Sequence, residues 1–254
     1  MDIIEDLAKH LLNQPFDVYP NEESVLEGCK NVAQMYALIE HSIAVLSDLR
    51  TNQSYIYKGS MANTLGFPIL PNETIPTIWE EEIFRRIHPD DLFDRHLLEL
   101  HFYHLLKSLP ITERSHYHTQ SLIRMKDDKG EYHAIRHRTL YLSNTQNGSL
   151  WLDMCLYNFS TEKSLGNGIN GMIINTADGT VIRPDLRNGD DLLSEREKEV
   201  LKLIYNGMLS KEIASQLSIS VHTVNRHRQN ILEKLKVNSS IEALKVAQAM
   251  NLID

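Results

Sequence analysis

A stretch of side chains suited to nucleic-acid binding occurs in SISVHTVNRHRQNIL, residues 218–232. It combines imidazole, amide and guanidinium groups and contains no carboxylate, although the whole chain has a formal net charge of −8. Guanidinium groups can form paired hydrogen bonds with guanine, and amide groups can do so with adenine. This combination of residue types therefore favours recognition of base edges and phosphates.

Helical spacing separates the polar and apolar side chains of this stretch. Val224, Ile231 and Leu235 recur at intervals of seven and four, so on a helix they face the core. A short helix starting at Ser210 and a tight turn at residues 217–219 precede it, which predicts a helix-turn-helix. The polar residues at i, i+3, i+4 and i+7 line the opposite face: His222, Asn225, Arg226 and Gln229.

Further residues complete this predicted interface. Lys211 and Thr223 lie near the starts of the two helices, where phosphates also find backbone N–H donors. A solvated charged face is the ordinary alternative, but the missing acidic partners and the tight turn favour DNA.

Another helix is expected after Ser194, which forms a capping box with Glu197, and Asn206-Gly207 is expected to end it. The apolar residues that share the inward face of this helix are Val200, Leu201, Ile204 and Tyr205. A last helix after Ser239 carries an apolar stripe formed by Ile241, Leu244 and Ala247.

The composition divides the chain near residues 185–192. Residues 166–191 are rich in Gly, Asn and Asp, which predicts a linker with a small hairpin around Asp178-Gly179. Residues 193–251 show helical periodicity throughout, which predicts an all-α domain of four helices over residues 192–254. From Asp190 onward nine Lys and Arg balance nine Asp and Glu, so the excess negative charge lies before this domain.

The preceding part predicts an α+β domain. Residues 1–40 are expected to form amphipathic helices. An antiparallel sheet with helices is predicted within residues 41–165, from two strands, a helical stretch with breaks, and three more strands. In the second helix the predicted inward stripe consists of Val25, Cys29, Val32, Tyr36 and Ile39.

Residues 193–237 resemble the DNA-binding domain of LuxR-type (GerE-like) bacterial transcriptional regulators. The matching elements are LSEREKEVL, SKEIA, LSIS, TVNRH and NILEKLKV. The resemblance implies pairing through the last helix, residues 240–250, on inverted half-sites. Ser240 departs from the family, which often has an arginine near this position. By position, the resemblance implies base contacts by Asn225, Arg226 and Gln229, and phosphate contacts by Lys211, Thr223 and Arg228.

Residues 40–160 resemble a PAS domain, which implies a sensory or dimerisation role. The resemblance rests on the order of elements, on NTLGFP at 63–68 and on IHPDDLFDRH at 87–96. The second motif also has a structural interpretation, in which Pro89 stops one helix and Asp90 caps the next.

Several classes of function are disfavoured. The twelve histidines lack an accompanying cysteine or carboxylate cluster, so no metal site is predicted. No cofactor is predicted either; an unknown small ligand in the PAS-like domain stays open, and its binding residues are unknown. No nucleophile–base arrangement or Gly-rich phosphate loop is legible, so no enzyme activity is expected. The acidic start, the two separated cysteines and the absence of a long apolar run predict a cytoplasmic protein without membrane contact.

The sequence therefore predicts a sequence-specific, dimeric DNA-binding transcriptional regulator whose PAS-like domain senses a signal or mediates dimerisation. The expected partners are double-stranded DNA, a second copy of the chain, and RNA polymerase. Two alternatives stay open. One is a quorum-sensing-like receptor for a small molecule, and the other is an interaction protein whose helix-turn-helix no longer binds DNA.

Overall fold

The computed structural model describes residues 3–17, 21–68, 72–162, 168–184, 186, 193–235, 237 and 239–249. The chain divides into two compact units, one covering Ile4–Arg183 and the other Pro184–Asp254 with Met1–Ile3. Among the helices within these described residues, none has the length and apolar character that crossing a membrane requires.

The first unit is built on one antiparallel sheet, and this confirms the predicted fold class. The order along the chain is PAS-like: two strands, a helical segment with breaks, and three longer strands. In spatial order the sheet consists of β3 (Asn72–Ile75), β2 (Gln53–Lys58), β1 (Ile43–Asp48), β6 (Leu150–Phe159), β5 (Tyr132–Asn144), β4 (Tyr117–Lys126), β7 (Met172–Asn175) and β8 (Val181–Ile182).

Three strands lie where the sequence did not predict a place in this sheet. The short strand β3 interrupts the stretch predicted as helical and pairs with β2 at one edge. At the other edge β7 and β8 form a hairpin whose turn contains Gly179 at φ 78°, a left-handed conformation that glycine tolerates. Because β7 pairs with β4, part of the segment expected as linker extends the sheet.

Helices pack on both faces of the sheet. In chain order they are α1 (Ile3–Leu12), α2 (Glu22–Ile39), α3 (Ser60–Thr64), α4 (Glu81–Phe84), α5 (Pro89–Ser108) and a 3-10 turn (Ile111–His116). Helix α2 buries Ala33 and Ala37 against Leu46 and Met154 on one face. On the opposite face α5 buries Phe102, whose ring centroid lies 5.5 Å from that of Tyr141. The sheet therefore forms the middle layer.

The predicted inward stripe of α2 is wrong in two of its five positions. Val32 is 55% exposed and Ile39 is 66% exposed, whereas Ala33 and Ala37 are buried. The helix carries two apolar stripes, and the close approach to the sheet selects the one with small side chains.

The start of α5 corrects the expected role of Asp90. Pro89 occupies the first turn, and the cap is the side chain of His88, whose Nδ1 accepts a hydrogen bond from the Asp90 N–H at 3.3 Å. The next residue, Asp91, is buried and binds Arg124 of β4, with Oδ2 accepting from Nε at 2.9 Å. The motif therefore attaches α5 to the sheet.

The described residues of the second unit contain the four predicted helices, α6 (Glu195–Tyr205), α7 (Ser210–Gln216), α8 (Val221–Lys234) and α9 (Ser240–Ala249). The predicted capping box of Ser194 and Glu197 is present at the start of α6. Its predicted inward face is wrong at Tyr205, which is 49% exposed, while Leu203 is buried. Helix α6 is followed by Asn206 and then by Gly207, whose φ of 79° fits the predicted glycine cap.

Candidate nucleic-acid interface

Apolar side chains on one side of α8 fix this helix to its unit. Val224, Ile231 and Leu235 are all buried, as their spacing predicts. The neighbouring helices contribute the rest of this small core, with buried Leu201 on α6 and buried Ile213 on α7. The orientation of α8 about its own axis is therefore set from behind.

The opposite side of α8 is exposed and polar. The structure leaves His222, Asn225, Arg226 and Gln229 exposed on this helix, and Lys211 exposed near the start of α7. Thr223 is half-buried, and its backbone N–H donates to the Ser220 hydroxyl at 3.0 Å, which caps the first turn of α8. The first turn of α8 contains no acidic residue. This face can donate and accept hydrogen bonds and carries positive charge.

A Schellman turn connects α7 to α8. Ser218 has a left-handed φ of 52°, a conformation that is uncommon for a residue with a Cβ. The N–H of Ile219 donates to the Ala214 carbonyl at 3.0 Å, and the N–H of Ser218 donates to the Ser215 carbonyl at 3.3 Å. Arg196 at the start of α6 donates to the carbonyl of Leu217 at 2.8 Å. The turn is therefore short, and a hydrogen bond from α6 stabilises it.

Arg228 lies at the rim of α8 and is hydrogen-bonded within the unit. Its guanidinium donates to the Ser210 hydroxyl at 3.2 Å and to the Ser240 hydroxyl at 3.0 Å, and all three residues are half-buried. The bonds connect α8 to the first residues of α7 and α9. Ser240, the position that departs from the family pattern, therefore takes part in an intramolecular contact.

The apolar residues predicted to form a stripe on α9 lie in different environments. Ile241 is 69% exposed, Leu244 is half-buried, and Ala247 is fully buried. Ala243 shares the buried side with Ala247, at the helical spacing of four. The exposed side of this helix therefore presents Ile241.

The first unit contains a second group of chemically active residues, in its interior. Arg95 of α5 is buried and lies 3.3 Å from the Glu99 carboxylate, and its guanidinium also donates to His137 Nε2 at 3.4 Å and to the Cys155 sulfur at 3.5 Å. Glu80 and Asp153 line the same cavity. Three carboxyl groups therefore surround one guanidinium away from solvent.

Burial dominates the ionisation of this interior. It raises the pKa of Glu80 to about 7, and it raises the pKa values of Glu99 and Asp153 even though Arg95 opposes the shift. Burial lowers the pKa of His96 to about 3, and the positive charge of Arg95 makes a smaller contribution in the same direction. These shifts favour neutral side chains around the single cation.

Several interior polar atoms lack hydrogen-bond partners among the described residues. They include Asp153 Oδ1, His137 Nδ1 and the hydroxyls of Tyr141 and Tyr157. No sequence pattern predicted this group. An acidic residue in β6, where both faces are otherwise apolar, was the available signal. Separately, no cluster of three or more His, Cys, Asp or Glu is arranged to hold a metal ion within the described parts of the chain.

The fold and the exposed face of α8 define a helix-turn-helix domain. Residues 191–247 match the model of the family described as bacterial regulatory proteins, luxR family. The C-terminal part of this chain is therefore a luxR-family helix-turn-helix domain, as the sequence resemblance implies.

Similarity to individual proteins is concentrated in this domain. The chain is 46% identical over 65 residues to the uncharacterized response regulatory protein YgeK of Escherichia coli, which covers 26% of this chain and 44% of the relative. It is 48% identical over 60 residues to the transcriptional regulatory protein DesR of Bacillus subtilis, covering 24% and 30%. The chain thus spans less than half the length of these relatives.

A solved structure of the Vibrio cholerae VqmA dimer in the absence of target DNA aligns over 89% of this chain and 88% of that chain. The sequence identity is 15% and the TM-score is 0.29.

Proposed function

We propose that this chain is a sequence-specific DNA-binding transcriptional regulator that acts as a dimer. The observation that carries the proposal is the exposed polar face of α8, held outward by buried Val224 and Ile231. An α-helix fits the major groove, where amide and guanidinium groups can distinguish bases. In this proposal Asn225, Arg226 and Gln229 contact base edges.

Other residues of the interface position the domain on the DNA backbone. Lys211, His222 and Thr223 contact phosphates, the last with support from the amino end of α8. Arg228 braces α8 against α7 and α9, because its two hydrogen bonds already direct the guanidinium into the unit. Ile241 and Leu244 contribute to pairing of two DNA-binding units, and Ala247 supports α9 from its buried side.

The first unit supplies the regulatory input in this proposal. A regulator of this kind works in the cytoplasm, carries no enzyme activity, and communicates with RNA polymerase. In this proposal residues 1–40 form helices that precede the sensing domain, and residues 41–165 form that domain. Residues 166–191 connect it to the DNA-binding domain, which covers residues 192–254.

Reception of a small molecule is a second candidate function of the first unit. Its support is the group of interior polar atoms around Arg95 and Asp153, because buried polar groups normally have partners. The cavity beside them has a volume of about 10 Å³, enough for roughly one water molecule. A larger ligand therefore requires the helices to move. Native mass spectrometry of the purified chain tests for such a ligand.

Fluorescence anisotropy with labelled genomic fragments tests the main proposal. The purified chain should bind fragments at low salt and select a subset as salt rises, because phosphate contacts weaken with salt and base contacts less so. Absence of binding at low salt would favour the alternative of an interaction protein.

A further inference from the structure

The outward face of α2 carries larger apolar side chains than its inward face. The residues buried against the sheet are alanines, Ala33 and Ala37. The outward residues are half to two-thirds exposed: Val32 at 55%, Met35 at 51%, Leu38 at 63% and Ile39 at 66%. A helix packed on a sheet normally has a polar outer face. The packing of the described chain does not use this apolar surface.

The outward residues follow the spacing of a coiled-coil seam. Gly28, Val32, Met35 and Ile39 recur at alternating intervals of four and three residues. Val32 and Ile39 occupy the a positions, where β-branched residues favour two parallel strands. Gly28 is exposed, and a Cβ added there meets nothing within 4 Å, so a partner helix can approach closely.

The seam of α2 carries no charged side chain, which favours a second copy of the same helix as its partner. All the charged residues of α2 and its end lie outside the a and d positions: Glu22, Glu23, Glu27, Lys30 and Glu40. A seam without charge has no feature that would select an acidic or basic partner. A second copy of the same helix supplies the matching apolar side chains and brings no like charges together at the seam.

We propose that α2 pairs in parallel with α2 of a second copy, through Gly28, Val32, Met35 and Ile39. The exposed apolar residues of α2 present on the order of 400 Å² per chain, the size of the largest apolar patch on a typical monomer, which is often functional. Pairing two such faces removes on the order of 800 Å², which is small for a specific interface. The helix is already folded on the sheet, so pairing does not include the cost of forming it. Because the buried area is small, we expect a weak dimer whose population depends on the protein concentration.

The proposed pairing of α2 depends on the proposed function only for its role in DNA binding. A parallel pair has a two-fold axis along the helices, and inverted half-sites require two-fold symmetry. Dimerisation itself is measurable without DNA.

Sedimentation equilibrium of the full chain tests the pairing. The wild-type mass should rise from 29.3 kDa toward twice that value across micromolar concentrations. Met35→Glu should raise the dissociation constant about tenfold or more, because it places like charges in the seam. Gln34→Glu is the matched control, since Gln34 is exposed on the same helix outside the seam. A monomeric wild type, or equal dimerisation of Met35→Glu, overturns the proposal.

Cysteine cross-linking tests the parallel direction. In a parallel pair Met35→Cys faces its own symmetry mate and should form an intermolecular disulfide rapidly, whereas Gln34→Cys should not. Half-buried Cys29 is replaced by serine in both variants to remove background. Equal cross-linking at both positions, or slow cross-linking at position 35 in a chain that dimerises, contradicts the parallel seam.

DNA binding at low salt separates this proposal from the proposed function. Met35→Glu should keep the low-salt affinity of the wild type for short fragments while losing cooperative binding to paired half-sites. If neither protein binds DNA but only the wild type dimerises, the seam stands and the proposed function fails.

Discussion

Replacing Arg228 with alanine tests whether this residue braces α8 or contacts a phosphate. Its guanidinium donates to Ser210 and Ser240 at 3.2 and 3.0 Å, and all three residues are half-buried. A hydrogen bond involving a charged group contributes about 1.5–3 kcal/mol, and less where solvent competes. Losing both bonds should lower the free energy of unfolding of the C-terminal unit by about 1–3 kcal/mol.

The assay combines urea unfolding with DNA affinity measured over a range of salt concentrations. If Arg228 braces α8, Arg228→Ala should weaken binding to the selected sequence and leave the slope of log affinity against log salt unchanged. A phosphate contact would instead reduce the magnitude of that slope by about 0.9 and leave the stability unchanged.

Two variants sharpen the comparison. Ser240→Ala removes one acceptor of the brace without changing charge, so it should reproduce part of the stability loss. Arg228→Lys keeps the charge but not the two-pronged guanidinium, so it should remain destabilised. A reduced salt slope in Arg228→Ala together with wild-type stability would refute the brace.

Four other substitutions probe the remaining parts of the account. Arg226→Ala should weaken specific binding by about 1–3 kcal/mol and relax the preference at one base pair per half-site, as measured by binding to a library of operator variants. Lys211→Ala should lower the affinity for all sequences alike and reduce the salt slope by about 0.9. The stabilisation from protonated Glu80 is full below its ordinary pKa of 4.5 and is lost as the pH rises through about 7, so Glu80→Gln should gain up to about 3 kcal/mol over the wild type across that window in urea unfolding. The pKa of His96 is depressed to about 3, so its contribution to stability is lost as the pH falls below 6.5, and His96→Phe should unfold less readily than the wild type in acid.

The recognition helix could be predicted from sequence because its signals are local. The spacing of Val224, Ile231 and Leu235 fixes the inward side, and this assigns the polar residues to the outward side. The stretch contains no acidic residue, so the charge of that face could also be read directly. The DNA contacts themselves depend on a partner that the sequence does not include, and they stay predictions.

Other features depend on choices between comparable local patterns. Helix α2 has two apolar stripes, and only the sheet decides that Ala33 rather than Val32 is buried. Arg95 and Glu99, at i and i+4, have the spacing of a surface ion pair, yet tertiary packing places both in the interior. The hydrogen bond from Arg228 to Ser240 connects two helices that a loop separates in sequence. Helical periodicity carries no information about such a contact.

The most direct test of the central claim compares the base preferences of the wild type and Arg226→Ala on a randomised operator library, with binding measured at several salt concentrations. The account predicts that the wild type selects a two-fold symmetric sequence and that the variant loses selectivity at symmetric positions while retaining its salt dependence. Identical preferences in the two proteins, or no DNA binding by the wild type at low salt, would contradict it.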